Sequence, residues 1–96
     1  MSAHNEKSLK QSIEALLKAY HLDDGMREAK VKEFWNTQMG KIIVKHTIGL
    51  QLRNHILHVT LNSSVVRQEL ADSRTELVRR LNEFLKEDWV KDMDFH

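Results

Sequence analysis

Apolar residues recur along this chain with two different periods. Leu9, Ile13, Leu16, Leu17 and Tyr20 share one helical face, which predicts an amphipathic helix over Ser8–Tyr20 with Ser8 as its N-cap. His21–Gly25 reads as a connector, with Asp24 placed to cap the helix that follows. That second helix is predicted from Met26 to Met39, with Val31, Phe34, Trp35 and Met39 along its apolar stripe. Gly40 comes next, where a left-handed terminating residue belongs. The period then drops from 3.6 to 2. Val44, His46, Ile48, Leu50 and Leu52 occupy alternate positions among Lys45, Thr47, Gln51 and Arg53. Beyond a polar turn at Arg53-Asn54-His55, Leu57, Val59 and Leu61 alternate with His58 and Thr60. Two such runs around a turn predict a β-hairpin with one buried face.

Helical spacing returns after Asn62-Ser63-Ser64, any of which can cap. Val66, Leu70, Leu77, Leu81 and Leu85 hold one face, with a break in phase near Asp72-Ser73-Arg74. Ser73 and Glu76 there have capping-box spacing. One long helix or two helices meeting at Ala71–Ser73 both satisfy the pattern. Trp89–Phe95 alternates as a third strand with Met93 and Phe95 inward. The expected fold is α+β: an N-terminal helix and connector over residues 1–24, then a domain over 25–96 in the order αββααβ. That is the type II order of KH-like folds, a three-stranded sheet packed on helices.

Composition narrows the function classes. Ninety-six residues support one core, and the absence of proline with only three glycines argues against a low-complexity linker. Zero cysteines exclude disulfides, thiolate nucleophiles and Cys-based zinc sites. No apolar run approaches the ~20 residues of a membrane span, and MSAHNEKSLKQS lacks the apolar stretch of a signal peptide, so a cytoplasmic location is expected. Net charge is only +1, but it is unevenly spread. Residues 41–80 hold seven Lys and Arg against three acids, whereas residues 81–96 hold two against five. A solvated surface is the commoner source of such a bias, and a phosphate-facing patch is the alternative.

Chemistry-bearing residues are dispersed. His55 and His58, three apart on a strand, point to opposite faces; His46 sits among apolar alternates; His4 and His96 lie near the termini. No metal site is expected from these spacings, and no cofactor. Without a Gly-rich phosphate loop, a nucleophile elbow or a cysteine, the chain does not read as an enzyme. A KH module clamps single strands with Gly-x-x-Gly between its consecutive helices, but Leu70-Ala71-Asp72-Ser73-Arg74 offers no glycine and one acid. Nucleic acid would have to be met by Lys41, Lys45, Arg53, Arg67 and Arg74.

Phe34-Trp35-x4-Gly40-x5-His46-Thr47, then Leu57-x-Val59, Ser63-Ser64-x4-Glu69-Leu70 and Leu81-Asn82, resembles the bacterial DciA-like family, long catalogued as a domain of unknown function. The resemblance runs from about Met26 to Phe95. It implies a KH-like α+β fold and a part in the initiation of DNA replication. DciA-like proteins bind the replicative helicase and help place it on single-stranded DNA without being ATPases. The family's tryptophan matches Trp35, and its glycine and His-Thr match Gly40, His46 and Thr47, making Trp35, Gly40 and His46 the partner-binding candidates. Trp35 has two readings, a core anchor closing the helix onto the hairpin or an aromatic contact for the helicase. Two alternatives stand beside helicase binding: a single-stranded nucleic-acid module lacking the glycine clamp, and a homodimer formed through the N-terminal helix or an outer strand.

Overall fold

The computed structural model describes residues 24–96, together with Leu9 and Ser12. Helix α1 spans Asp24–Gln38, α2 Lys41–His46, strand β1 Thr47–Arg53, β2 Ile56–Leu61, α3 Ser64–Asp72, α4 Arg74–Leu85 and β3 Asp92–Phe95. The sheet runs β1-β2-β3, with β1 antiparallel and β3 parallel to β2. Leu57, Val59, Leu61 and Met93 turn from it into one core with Val31, Phe34 and Trp35 of α1, Val66 and Leu70 of α3, and Leu77, Leu81 and Leu85 of α4. The fold is α+β in the KH-like αββααβ layout, with the short α2 placed before the hairpin. The amphipathic helix expected over Ser8–Tyr20 lies outside the described residues except at Leu9 and Ser12, which are helical, Leu9 with its side chain exposed.

The first strand begins later than alternation predicts. Val44 and His46 belong to α2, not to the strand, and Ile48 is exposed rather than inward. The β-branched run Ile42-Ile43-Val44 favours strand locally, and tertiary contacts override it. Thr47 closes α2 twice, its hydroxyl donating to the Ile43 carbonyl at 2.6 Å and its backbone N–H to that of Val44. Asn62 N–H donates to the His46 carbonyl at 3.0 Å. The β1–β2 register then slips between Thr47 and Gly49, leaving Ile48 as the extra residue of a bulge. Alternation resumes beyond it, and Leu50 and Leu52 pack half-buried against the core. Gly40 also differs from the expected left-handed helix cap. Its φ of 88° and ψ of 158° lie in a region essentially reserved for glycine, and they turn α1 directly into α2.

Downstream, the expectations meet the structure more closely. Asn54 and His55 have φ of 53° and 65°, the signature of a two-residue type I′ hairpin turn built without an Asn-Gly pair. Ser63 caps α3 by accepting the Val66 N–H at 3.3 Å. Two helices meet at Ser73, but the capping box does not form: the Ser73 side chain caps nothing, and Glu76 instead bonds Arg79.

The third strand covers only Asp92–Phe95, not Trp89–Phe95. The preceding residues are taken up by a helix terminus. Lys86 adopts the left-handed conformation, its N–H donating to Glu83 O and the Glu87 N–H to Asn82 O, the paired bonds of a Schellman motif. The Asn82 side chain then imitates a strand partner. Its amide donates to the Val90 carbonyl at 2.8 Å and accepts the Val90 N–H at 2.9 Å.

Asn82→Ala leaves both polar groups of buried Val90 unpaired. It should cost about 2–3 kcal/mol in urea unfolding, whereas Asn82→Asp, which keeps the acceptor but loses the donor, should also destabilise. Lys86→Gly should act oppositely, raising stability by about 0.5–1 kcal/mol in the same measurement because glycine adopts φ > 0 without penalty.

Candidate partner-binding surface

Trp35 is fully buried, at 0% exposure. Its indole N–H donates to Thr47 Oγ1 at 2.9 Å, and that hydroxyl in turn donates a hydrogen bond to Ile43 O. One side chain of α1 thus holds the end of α2 and the start of β1 together. Three residues of the sequence pattern, Trp35, Gly40 and Thr47, meet in one task, which is to steer the chain from α1 through a tight turn into the sheet. His46 joins them from the far side, its Nδ1 2.8 Å from Asn62 Oδ1. Trp35 therefore offers a partner no surface of its own. It positions what surrounds it.

What surrounds it is accessible. Ile42 on α2 and Ile48 in the bulge are 70% and 64% exposed, and among the described residues β1 has a strand neighbour on one side only. An open groove of about 280 Å³ runs between α1 and β1, lined by Lys32, Val44, Ile48 and Leu50 with Trp35 beneath. Lys41 and Lys45 are exposed one helical turn apart on α2. A bulge beside an open sheet edge both discourages indiscriminate strand pairing and re-aims a side chain outward.

The five basic candidates do not form one patch. Arg53 lies at the hairpin end of β1, about 20 Å of extended strand from Thr47, where α2 ends. Arg74 sits 3.9 Å from Asp92, which shares the Ile56 cross-strand row with Arg53. Arg67 is turned inward: Nη2 donates to the Leu61 carbonyl at 3.2 Å, and Nε is buried without a hydrogen-bond partner. Lys41 and Lys45 thus stand at one end of the sheet, Arg53 and Arg74 at the other. Between α3 and α4 the backbone breaks only at Ser73, so no loop exists there to receive a phosphate. On α4, Arg79 is held by Glu76 and Glu83, and its hydrogen bond keeps the exposed Glu76 carboxyl below the usual range.

One cluster gave no sign in the sequence. Arg27, only 6% exposed, donates to both Glu87 oxygens at 2.9 and 3.3 Å and to Asp24 at 3.0 Å. Its guanidinium stacks 4.2 Å over the Trp89 ring, and the His55 imidazole also lies against that ring with centroids 4.0 Å apart. His55 Nδ1 lies 2.7 Å from the Trp89 carbonyl and must donate there, since a carbonyl only accepts. The arrangement ties α1, the hairpin turn and the connector to β3 into one end of the molecule. An arginine on a helix otherwise rich in charge reads as surface, so periodicity could not single it out.

With the geometry in place, comparison with known proteins decides the family. The profile described as Dna[CI] antecedent, DciA, matches residues 8–95. The chain belongs to the DciA family. Searches among curated proteins and among solved structures match nothing. In this DciA-family chain the residues behind the resemblance are architectural: Trp35, Gly40 and Thr47 form the turn into the sheet, Ser63 caps α3, and Asn82 clamps the strand β3 connector. Among the described residues, no helix is long and apolar enough to cross a membrane.

Thr47→Val keeps the side-chain volume but strands the buried indole N–H, and should cost about 1–3 kcal/mol in thermal or urea unfolding. Thr47→Ser retains the hydroxyl and should recover most of that loss. A Thr47→Val variant as stable as the wild type, with a loss only in Thr47→Ser, would assign the stabilisation to the methyl group instead of to the hydrogen bond.

Proposed function

We propose that this DciA-family protein is not an enzyme, and that it binds the bacterial replicative helicase and assists its loading as DNA replication begins. Family membership over residues 8–95 is the observation that carries the reading. The surface proposed for contact is the α2–β1 corner, where exposed Ile42 and Ile48 stand beside Lys41 and Lys45. A corner of this kind suits a partner with an apolar patch and acidic rim, since aliphatic side chains supply the desolvated centre and lysines the steering charge. Gly40 and His46 act here as supports that set the direction of α2. Trp35 does the same from within.

Single-stranded DNA binding is the secondary reading. Exposed Lys41 and Lys45 favour it, while the split distribution of the other cations and the glycine-free Ser73 junction weigh against a KH-type clamp.

Ile42→Glu combined with Ile48→Glu alters exposed side chains and should leave the thermal transition nearly unchanged. In pull-down with the purified helicase from the same organism, the wild-type protein should retain it. The double variant should bind at least about tenfold more weakly, a change of 1.4 kcal/mol. Failure of folded wild-type protein to bind the helicase would end the reading. Undiminished binding by the double variant would move the contact elsewhere on the protein.

A further inference from the structure

The solvent-facing side of the sheet brings His58, a potential metal ligand, beside two others, Asp94 and His96, that lie more than thirty residues away in sequence. His58 and Asp94 are register partners across the parallel β2–β3 pair, and His96 follows Asp94 on the same face. His58 Nδ1 lies 3.5 Å from Asp94 Oδ2, and His96 Nε2 lies 3.0 Å from that same oxygen. The two imidazoles face each other nearly parallel, with centroids 6.0 Å apart and planes inclined by 17°. All three ligand atoms fall within 4.8 Å of one another.

We propose that His58, Asp94 and His96 form a binding site for a divalent transition metal, with zinc as the reference ion. Bonds of about 2.0–2.1 Å to zinc place tetrahedral ligands roughly 3.3 Å apart, so the present spacing needs only small side-chain rotations. The backbone beneath does not need to move. His96 N–H donates to Val59 O and Leu61 N–H to His96 O, both at 2.8 Å, so the last residue is already fastened to β2. Two imidazoles and one carboxylate suit zinc, cobalt or nickel and disfavour magnesium and calcium, which prefer all-oxygen shells. Half-exposed Asp94 and His96 leave the remaining coordination position open to water. Spanning β2 and β3, a bound ion would cross-link the C-terminal strand to the sheet. Chain spacing alone does not announce the site, because His58 on β2 is brought beside Asp94 and His96 only by the α3–α4 crossover.

Calorimetric titration of the full chain with zinc should give one site per chain and a rise in the unfolding temperature, while magnesium gives neither. Asp94→Asn, His58→Gln and His96→Gln should each weaken zinc at least about tenfold, whereas His4→Ala and His46→Gln should not. The wild-type protein supplies a readout independent of variant folding: substoichiometric cobalt should broaden the NMR signals of His58, Asp94 and His96 before those of His46 and His55. Absence of zinc binding, or binding and cobalt broadening centred on other histidines, would overturn the proposal and leave the cluster an ordinary hydrogen-bonded trio.

Discussion

The Trp35 indole N–H held by Thr47, with the Thr47 hydroxyl in turn held by the Ile43 carbonyl, is the interaction from which the rest of the structure follows. It lies where the chain stops being helical and becomes extended, and it satisfies polar groups that burial would otherwise leave costly. Fixing that point fixes the bulge after Thr47, hence the register of β1 on β2, hence which side chains of the hairpin face the core. Gly40 makes the approach possible by turning the backbone through a conformation other residues avoid. A large buried aromatic is therefore both core filler and hinge pin.

The opposite end of the sheet is closed by polar contacts of another kind. Arg27, stacked on Trp89 and bonded to Glu87, secures α1 against the connector that leads into β3. Asn82 secures the same connector from α4. Losing one member of a largely buried pair is more damaging than never having had the pair, because the survivor keeps its desolvation cost. Such contacts hold a parallel edge strand of only four residues in place. They also hold in place the irregular connector between α4 and β3.

Much of this was legible from residue spacing, and the exceptions share a cause. The stripes Val31-Phe34-Trp35 and Val66-Leu70-Leu77-Leu81-Leu85, and the alternation Leu57-Val59-Leu61, all lie in the core as their periods require. Period-based reading failed between Lys41 and Ile48, where β-branched residues form a helix because Gly40, Thr47 and Trp35 impose it. It failed again at Trp89–Lys91, where the Asn82 amide replaces a strand partner. Each failure lies where a side chain from a distant element supplies the decisive hydrogen bond. The surface corner with Ile42 and Ile48, the Arg27–Trp89–His55 stack and the His58–Asp94–His96 trio were invisible for the same reason. Their members become neighbours only through the sheet order and a register slip.

The residues by which the chain resembles its family are mostly internal, and they set the direction of the exposed corner formed by α2 and the start of β1. Whether Trp35 is the pin on which that surface turns can be read from hydrogen exchange of the two indole N–H groups, resolved by NMR in the wild-type protein. The Trp35 indole should exchange only through global opening, tracking the unfolding free energy as denaturant is added, while the indole of the only partly buried Trp89 exchanges much faster. A Trp35 indole exchanging as quickly as that of Trp89 would contradict the account, because the helix-to-strand corner would then open without the core.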